Sequence, residues 1–188
     1  LLLFFIPAIT MGTWADERKL GTDELLFTMP ATDLEILLAK YLSVFAVYSV
    51  ALLFSMTHII VLMCLGNPDW GLLFTTYFGY LIAGGALISA GMLASILTSS
   101  MTVAFVIGIV ICSIPVFLGY VGEFTGYRDF FERLSLREQF RDFGMGVIPF
   151  TGLLYFLSFT TFMLYLNLVF MTKRHWSSRN QAGMGVQY

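Results

Sequence analysis

The sequence predicts an all-α, polytopic transmembrane helical bundle, and three observations point to it. Charge is scarce: 12% of the 188 residues are Asp, Glu, Lys or Arg, about half of the roughly 25% found in a soluble domain. Apolar residues run together, with a mean hydropathy of +0.83, in stretches longer than a soluble core of this size can hide. Within those stretches the alternation of a membrane β-barrel strand is missing. That leaves helices, which satisfy their own backbone in lipid.

The chain opens inside an apolar run, LLLFFIPAITM, with neither the basic region nor the small-residue cleavage site of a signal peptide. Residues 1–11 therefore read as the end of a truncated span, with at least one further span expected upstream. Complete spans are expected at 41–65, 72–97, 101–120 and 150–171, each with the ~20 residues needed to cross a bilayer core. Gly66-Asn67-Pro68-Asp69 is a tight polar turn. Thr98-Ser99-Ser100 is shorter still, so the spans on either side of it must be antiparallel neighbours. The 72–97 span places small residues four apart, Gly85/Ser89 and Gly91/Ser95 among them. Such spacing lets helices approach closely in lipid, either within the chain or at an interface between two chains.

Almost all the charge falls in residues 12–40, 121–149 and 172–188. Arg18, Lys19 and Lys40 share one side of the membrane with Lys173, Arg174 and Arg179, against Arg128, Arg133, Arg137 and Arg141 on the other. This balance makes 12–40 a cytoplasmic loop, 121–149 an extracellular amphipathic or re-entrant segment and 172–188 a cytoplasmic tail. A multi-pass protein of the plasma (inner) membrane is expected, in contact with membrane lipid.

In the 12–40 loop, Thr22 can cap a short helix, Asp23–Met29, that Pro30 ends. Thr32 and Glu35 form a T-x-x-E capping box for the next helix, which runs into the 41–65 span. The apolar face Leu25, Leu26 and Met29 suits a groove on a soluble partner, because lipid-surface helices are usually basic and this one is acidic. In the second charged connection, Phe124–Phe143 reads as amphipathic helix, with Phe130, Phe131, Leu134 and Phe140 against Arg133, Arg137 and Arg141.

Several chemistries lack their residues. There is no G-x-x-x-x-G-K-[ST] phosphate loop, no H-E-x-x-H and no G-x-S-x-G. A net charge of -2 without a basic stripe gives no sign of nucleic-acid binding. Cys64 and Cys112 lie in separate apolar runs, as lipid- or core-facing thiols rather than a disulfide or metal pair. His58 is the ionisable group inside a span, and it is expected to be neutral and hydrogen-bonded to a neighbouring helix.

The run Ala15-Asp16-Glu17-Arg18-Lys19-Leu20-Gly21-Thr22-Asp23-Glu24-Leu25-Leu26, followed by Met29-Pro30-Ala31-Thr32, resembles the cytoplasmic loop of ABC-2-type permeases, most closely the gliding-motility-associated branch. Lys40 stands where that family's next span begins with a basic residue. Leu134-Ser135 through Phe140, Phe143, Gly146, Val147 and Ile148 is similar to the run before the family's last span, and Lys173-Arg174-His175-Trp176 to its basic-aromatic ending. The chain departs from the pattern at Met145 and Pro149, where polar residues are common.

The resemblance implies the permease subunit of an ATP-driven exporter, aligned to spans two to six of six. It is not an enzyme by itself, and ATP and magnesium belong to a separate ATP-binding subunit. The coupling residues it implies are Glu17, Arg18, Lys19, Gly21, Thr22, Glu24, Leu25, Leu26, Met29 and Pro30. A second permease chain, identical or related, completes the pathway, and the 121–149 segment is a re-entrant helix pair. The rival readings are a non-transporting membrane scaffold or sensor and an intramembrane enzyme using His58. Asp and Glu are absent from the complete spans, which argues against a secondary transporter.

Overall fold

A computed structural model describes the backbone of residues 1–22, 31–125 and 128–184, and the side chains of 1–22, 31–121 and 130–173. Among the described residues all regular structure is helical. In chain order the helices are α1 (Leu2–Thr10), α2 (Gly12–Leu20), α3 (Asp33–Ser55), α4 (Thr57–Leu65), α5 (Trp70–Leu97), α6 (Met101–Thr125), α7 (Arg128–Leu134), α8 (Leu136–Gly144) and α9 (Phe150–Met184). Four stretches are long and apolar enough to cross a membrane: Asp33–Leu65, Trp70–Leu97, Met101–Val121 and Phe150–Lys173.

The helices begin where their caps place them. Thr32 Oγ1 accepts the Glu35 amide at 3.3 Å, and the Glu35 carboxylate accepts the Thr32 amide at 2.8 Å, closing the capping box of α3. Asp69 Oδ1 accepts the amides of Gly71 and Leu72 and starts α5 straight after the turn. Gly21, at φ 67°, ends α2: its amide reaches Arg18 O and the Thr22 amide reaches Glu17 O, the paired bonds of a Schellman cap.

Helix α5 is the axis of the bundle. It packs against α1, α2, α3, α6, α8 and α9. In its apolar window 78% of residues are buried, against 22% in Met101–Val121 and 11% in each of the other two spans. The small residues make this enclosure feasible. A Cβ on Gly84 would fall 2.2 Å from the Tyr48 ring, and one on Gly91 would fall 2.4 Å from Thr10 Oγ1. Tyr48 lies over Gly84 and donates its hydroxyl to Tyr80 O at 2.7 Å. Conversely, Val103, Val106, Val110, Ile114 and Phe117 expose one continuous face of α6. Spaced at helical intervals, they form an apolar stripe suited to acyl chains rather than water.

Three expectations are corrected. The 41–65 span is not one helix: it breaks at Met56 between α3 and α4. The Ser55 carbonyl at that break accepts from Tyr77 Oη at 3.1 Å and meets His58 Nδ1 at 2.8 Å. His58 thus meets the carbonyl three residues before it, at the end of α3, rather than a helix packed alongside, because the break leaves an acceptor within reach of its ring. The 124–143 segment is not one amphipathic helix either, since Ser135 interrupts it between α7 and α8. Within the expected 12–40 connection, residues 12–20 form the helix α2. The expected helix Asp23–Met29 lies outside the described residues.

Candidate functional site

At the end of the bundle shared by α2, the start of α3 and the end of α5, side chains take over bonds that a helix would make for itself. In a continuous helix the amides of Trp14 and Ala15 would bond the carbonyls of Thr10 and Met11. Here both amides donate to Ser95 Oγ of α5, at 3.0 and 3.1 Å, and Ser95 Oγ donates to Met11 O at 2.7 Å. Thr13 Oγ1 donates to Thr10 O at 2.8 Å, and Lys40 Nζ to Thr13 O at 2.7 Å. One hydroxyl inserted into the ladder separates α1 from α2, and each freed backbone group named here finds a side-chain partner.

The resulting geometry fixes α2 on two sides. Toward α5, the Arg18 guanidinium donates to Ile96 O at 2.5 Å, one residue from Ser95. This satisfies a carbonyl in the last turn of α5, where the helix dipole favours a cation. Toward α3, Lys40 Nζ makes an ion pair with Glu17 and stands 4.5 Å from the centre of the Trp14 ring. The Lys40 side chain is 15% exposed and that of Glu17 33%, so the pair is half-shielded rather than a freely solvated surface contact.

Of the coupling residues named from sequence, Glu17 and Arg18 therefore face inward and are bonded within the chain, because α2 lies along α5 instead of looping free. Lys19 and Leu20 are exposed at the end of α2, Gly21 turns the chain, and Thr22 donates its hydroxyl back to Glu17 O at 3.2 Å. Glu24, Leu25, Leu26, Met29 and Pro30 lie outside the described residues.

The four small residues of α5 pack against other helices of this chain. Gly85 faces Tyr41 and Phe45, and Tyr41 donates to its carbonyl at 3.2 Å. Ser89 donates to Ala86 O at 2.6 Å, while its own carbonyl accepts Asn167 Nδ2 from α9 at 3.0 Å. Gly91 receives Thr10, and Ser95 holds the α1–α2 junction.

Sequence reasoning grouped Ser95 with the small packing residues and missed its role as the anchor of α2. Nothing local marks it, since its partners lie 80 to 84 positions away. Lys40 was visible as a basic residue at the head of a span, but its contacts with Trp14 and Glu17 were not. Asn167, fully buried between α9 and α5, was missed as well. A lone amide in a 24-residue apolar stretch was the available signal.

A family model described as ABC-2 family transporter protein matches residues 1–132. No curated protein and no solved structure matches the chain. The match spans the α1–α2 junction, the Lys40 contact and all of α5, so the bonded end just described lies wholly inside it. With four membrane-crossing stretches around a buried axis and a family match over more than half its length, this chain belongs to the ABC-2 family of membrane transporter proteins.

Proposed function

We propose that the chain is the permease subunit of an ATP-driven exporter in the plasma (inner) membrane, and that a separate ATP-binding subunit docks on the segment that follows α2. The lock between α2 and α5 carries this proposal. A displacement of the loop root has little room to dissipate locally, because Ser95 and Arg18 join α2 to α5 and Lys40 joins it to α3. Helix α5 in turn touches α1, α3, α6, α8 and α9, so a rigid-body push at one end reorients the spans together. ATP and magnesium are bound by the partner. The mainly exposed apolar faces of α3, α6 and α9 leave area for lipid and for a second permease chain. The narrower kinship with gliding-motility permeases rests on the likeness of the Ala15–Thr32 and Leu134–Ile148 runs alone.

The test is co-expression of the full-length protein with ATP-binding subunits encoded beside it, followed by ATP hydrolysis in nanodiscs. Wild type is compared with Glu24→Lys and Leu25→Asp in the loop, and with Ser95→Ala at the lock. Co-purification, with hydrolysis altered by the loop changes and uncoupled from the spans by Ser95→Ala, is the expected result. Failure of any ATP-binding subunit to co-purify, with inert loop variants, would replace the exporter by a scaffold or sensor.

A further inference from the structure

At the opposite end of the bundle, the end of α6 and the α7–α8 junction enclose a polar cleft of about 210 Å³. The junction is held from several sides: Tyr155 Oη donates to Leu134 O at 2.6 Å, Gln139 Nε2 to Arg133 O at 3.0 Å, and the Ser135 amide to Glu132 O at 3.1 Å. Gly119 on α6 lets it approach, since a Cβ there would fall 3.2 Å from Ser135 Oγ.

Within this fixed frame one group is left over. Ser135 is the N-cap residue of α8, yet its hydroxyl caps nothing. The side chain is 1% exposed and its Oγ has no hydrogen-bond partner. A buried hydroxyl without a partner costs roughly 1–3 kcal/mol, and Ser135 is one of the residues that line the cleft. Around it stand both signs of charge. Arg137 donates to Tyr120 Oη, with its guanidinium carbon 5.1 Å from that ring's centre, and Glu132 and Glu138 line the same space, the Glu138 carboxylate also meeting the exposed Arg141 guanidinium at 3.5 Å. A simple anion would meet two carboxylates and a simple cation would meet the guanidinium. A ligand carrying an anion and a hydrogen-bonding ammonium side by side meets neither conflict.

The position selects the source of such a ligand. The apolar run of α6 meets its first charged residue at Glu123, three residues past Tyr120, so the cleft sits at headgroup depth. Phe117, Val121, Phe130 and Leu134 beside it are exposed apolar surface, ready for acyl chains. We propose that this cleft binds the zwitterionic headgroup of an aminophospholipid, with phosphate on Arg137 and Ser135 and the primary ammonium toward Glu132 and Glu138. The site is independent of the coupling proposal and occupies the other end of the molecule.

The test is thermal unfolding of the full-length protein in phosphatidylcholine nanodiscs doped with equal fractions of phosphatidylethanolamine or phosphatidylglycerol. In a separate arm, free O-phosphoethanolamine is added to the undoped discs. Phosphatidylethanolamine should raise the Tm, whereas phosphatidylglycerol should not. The quaternary ammonium of phosphatidylcholine has no N–H to give. Ser135→Ala removes a buried hydroxyl that makes no bond in the free protein, so it should raise the Tm in pure phosphatidylcholine slightly and abolish the increment from phosphatidylethanolamine. Arg137→Gln should weaken phosphatidylethanolamine binding by about tenfold or more, the size expected for a lost charged hydrogen bond. An equal Tm rise from phosphatidylglycerol would overturn the zwitterion assignment. The same rise from free O-phosphoethanolamine would overturn the lipid source. No rise with any probe, or an increment that survives Ser135→Ala, would overturn the site.

Discussion

Replacing Ser95 by alanine removes one oxygen and three hydrogen bonds, to Met11 O, Trp14 N and Ala15 N. Interhelical hydrogen bonds in a membrane protein average about 0.6 kcal/mol each, so the three together are worth about 2 kcal/mol. A loss of that size multiplies the local opening of α2 from α5 about 30-fold. Hydrogen exchange in nanodiscs, read on peptides covering residues 11–18, measures it directly. Exchange there should accelerate by that order, while the middle of α5 stays protected. Ser89→Ala is the control, because its hydroxyl bonds Ala86 O of the same helix and its loss frees no group on α2. Unchanged exchange at 11–18 in Ser95→Ala would refute the lock, and with it the path by which a push on the loop reaches the spans.

Other outcomes follow from the same packing. Gly84→Ala drives a methyl into the Tyr48 ring and should lower stability by about 1–3 kcal/mol, with much of the loss recovered by adding Tyr48→Leu, as read by thermal unfolding. Lys40→Met leaves Glu17 without its counter-charge and Thr13 O without its donor; exchange around residues 13–18 should rise, and the double variant with Glu17→Gln should restore part of the protection. Asn167→Leu gives up the bond to Ser89 O but also removes a buried amide oxygen that has no partner. Its net cost should stay under about 1.7 kcal/mol, whereas Asn167→Asp, which puts a carboxylate among apolar neighbours, should prevent stable folding, measured as yield of monodisperse protein.

Much of this protein is determined locally and so stands in the sequence. Apolar runs long enough to cross a bilayer, the Thr32–Glu35 capping box and the reversal at Gly66–Asp69 each depend on residues close together in the chain, because helix formation and capping act over three or four positions. The dearth of charge decides the solvent. The family too is legible in the sequence, through a match over residues 1–132. What it left open are bonds between residues tens of positions apart. Ser95 and Gly91 look alike as small residues, yet one anchors α2 by three hydrogen bonds and the other makes room for Thr10.

The break at Met56, the turn at Ser135 and the inward placement of Glu17 and Arg18 are of the same kind. Each depends on a group supplied by another element: Tyr77 at the Ser55 carbonyl, Tyr155 at Leu134, Lys40 at Glu17, and the end of α5 at Arg18. In lipid nearly every side chain on a span is apolar, so pattern alone says little about which face is turned inward. Close packing and the pairing of a few buried polar groups decide that, and only the tertiary structure brings those groups together.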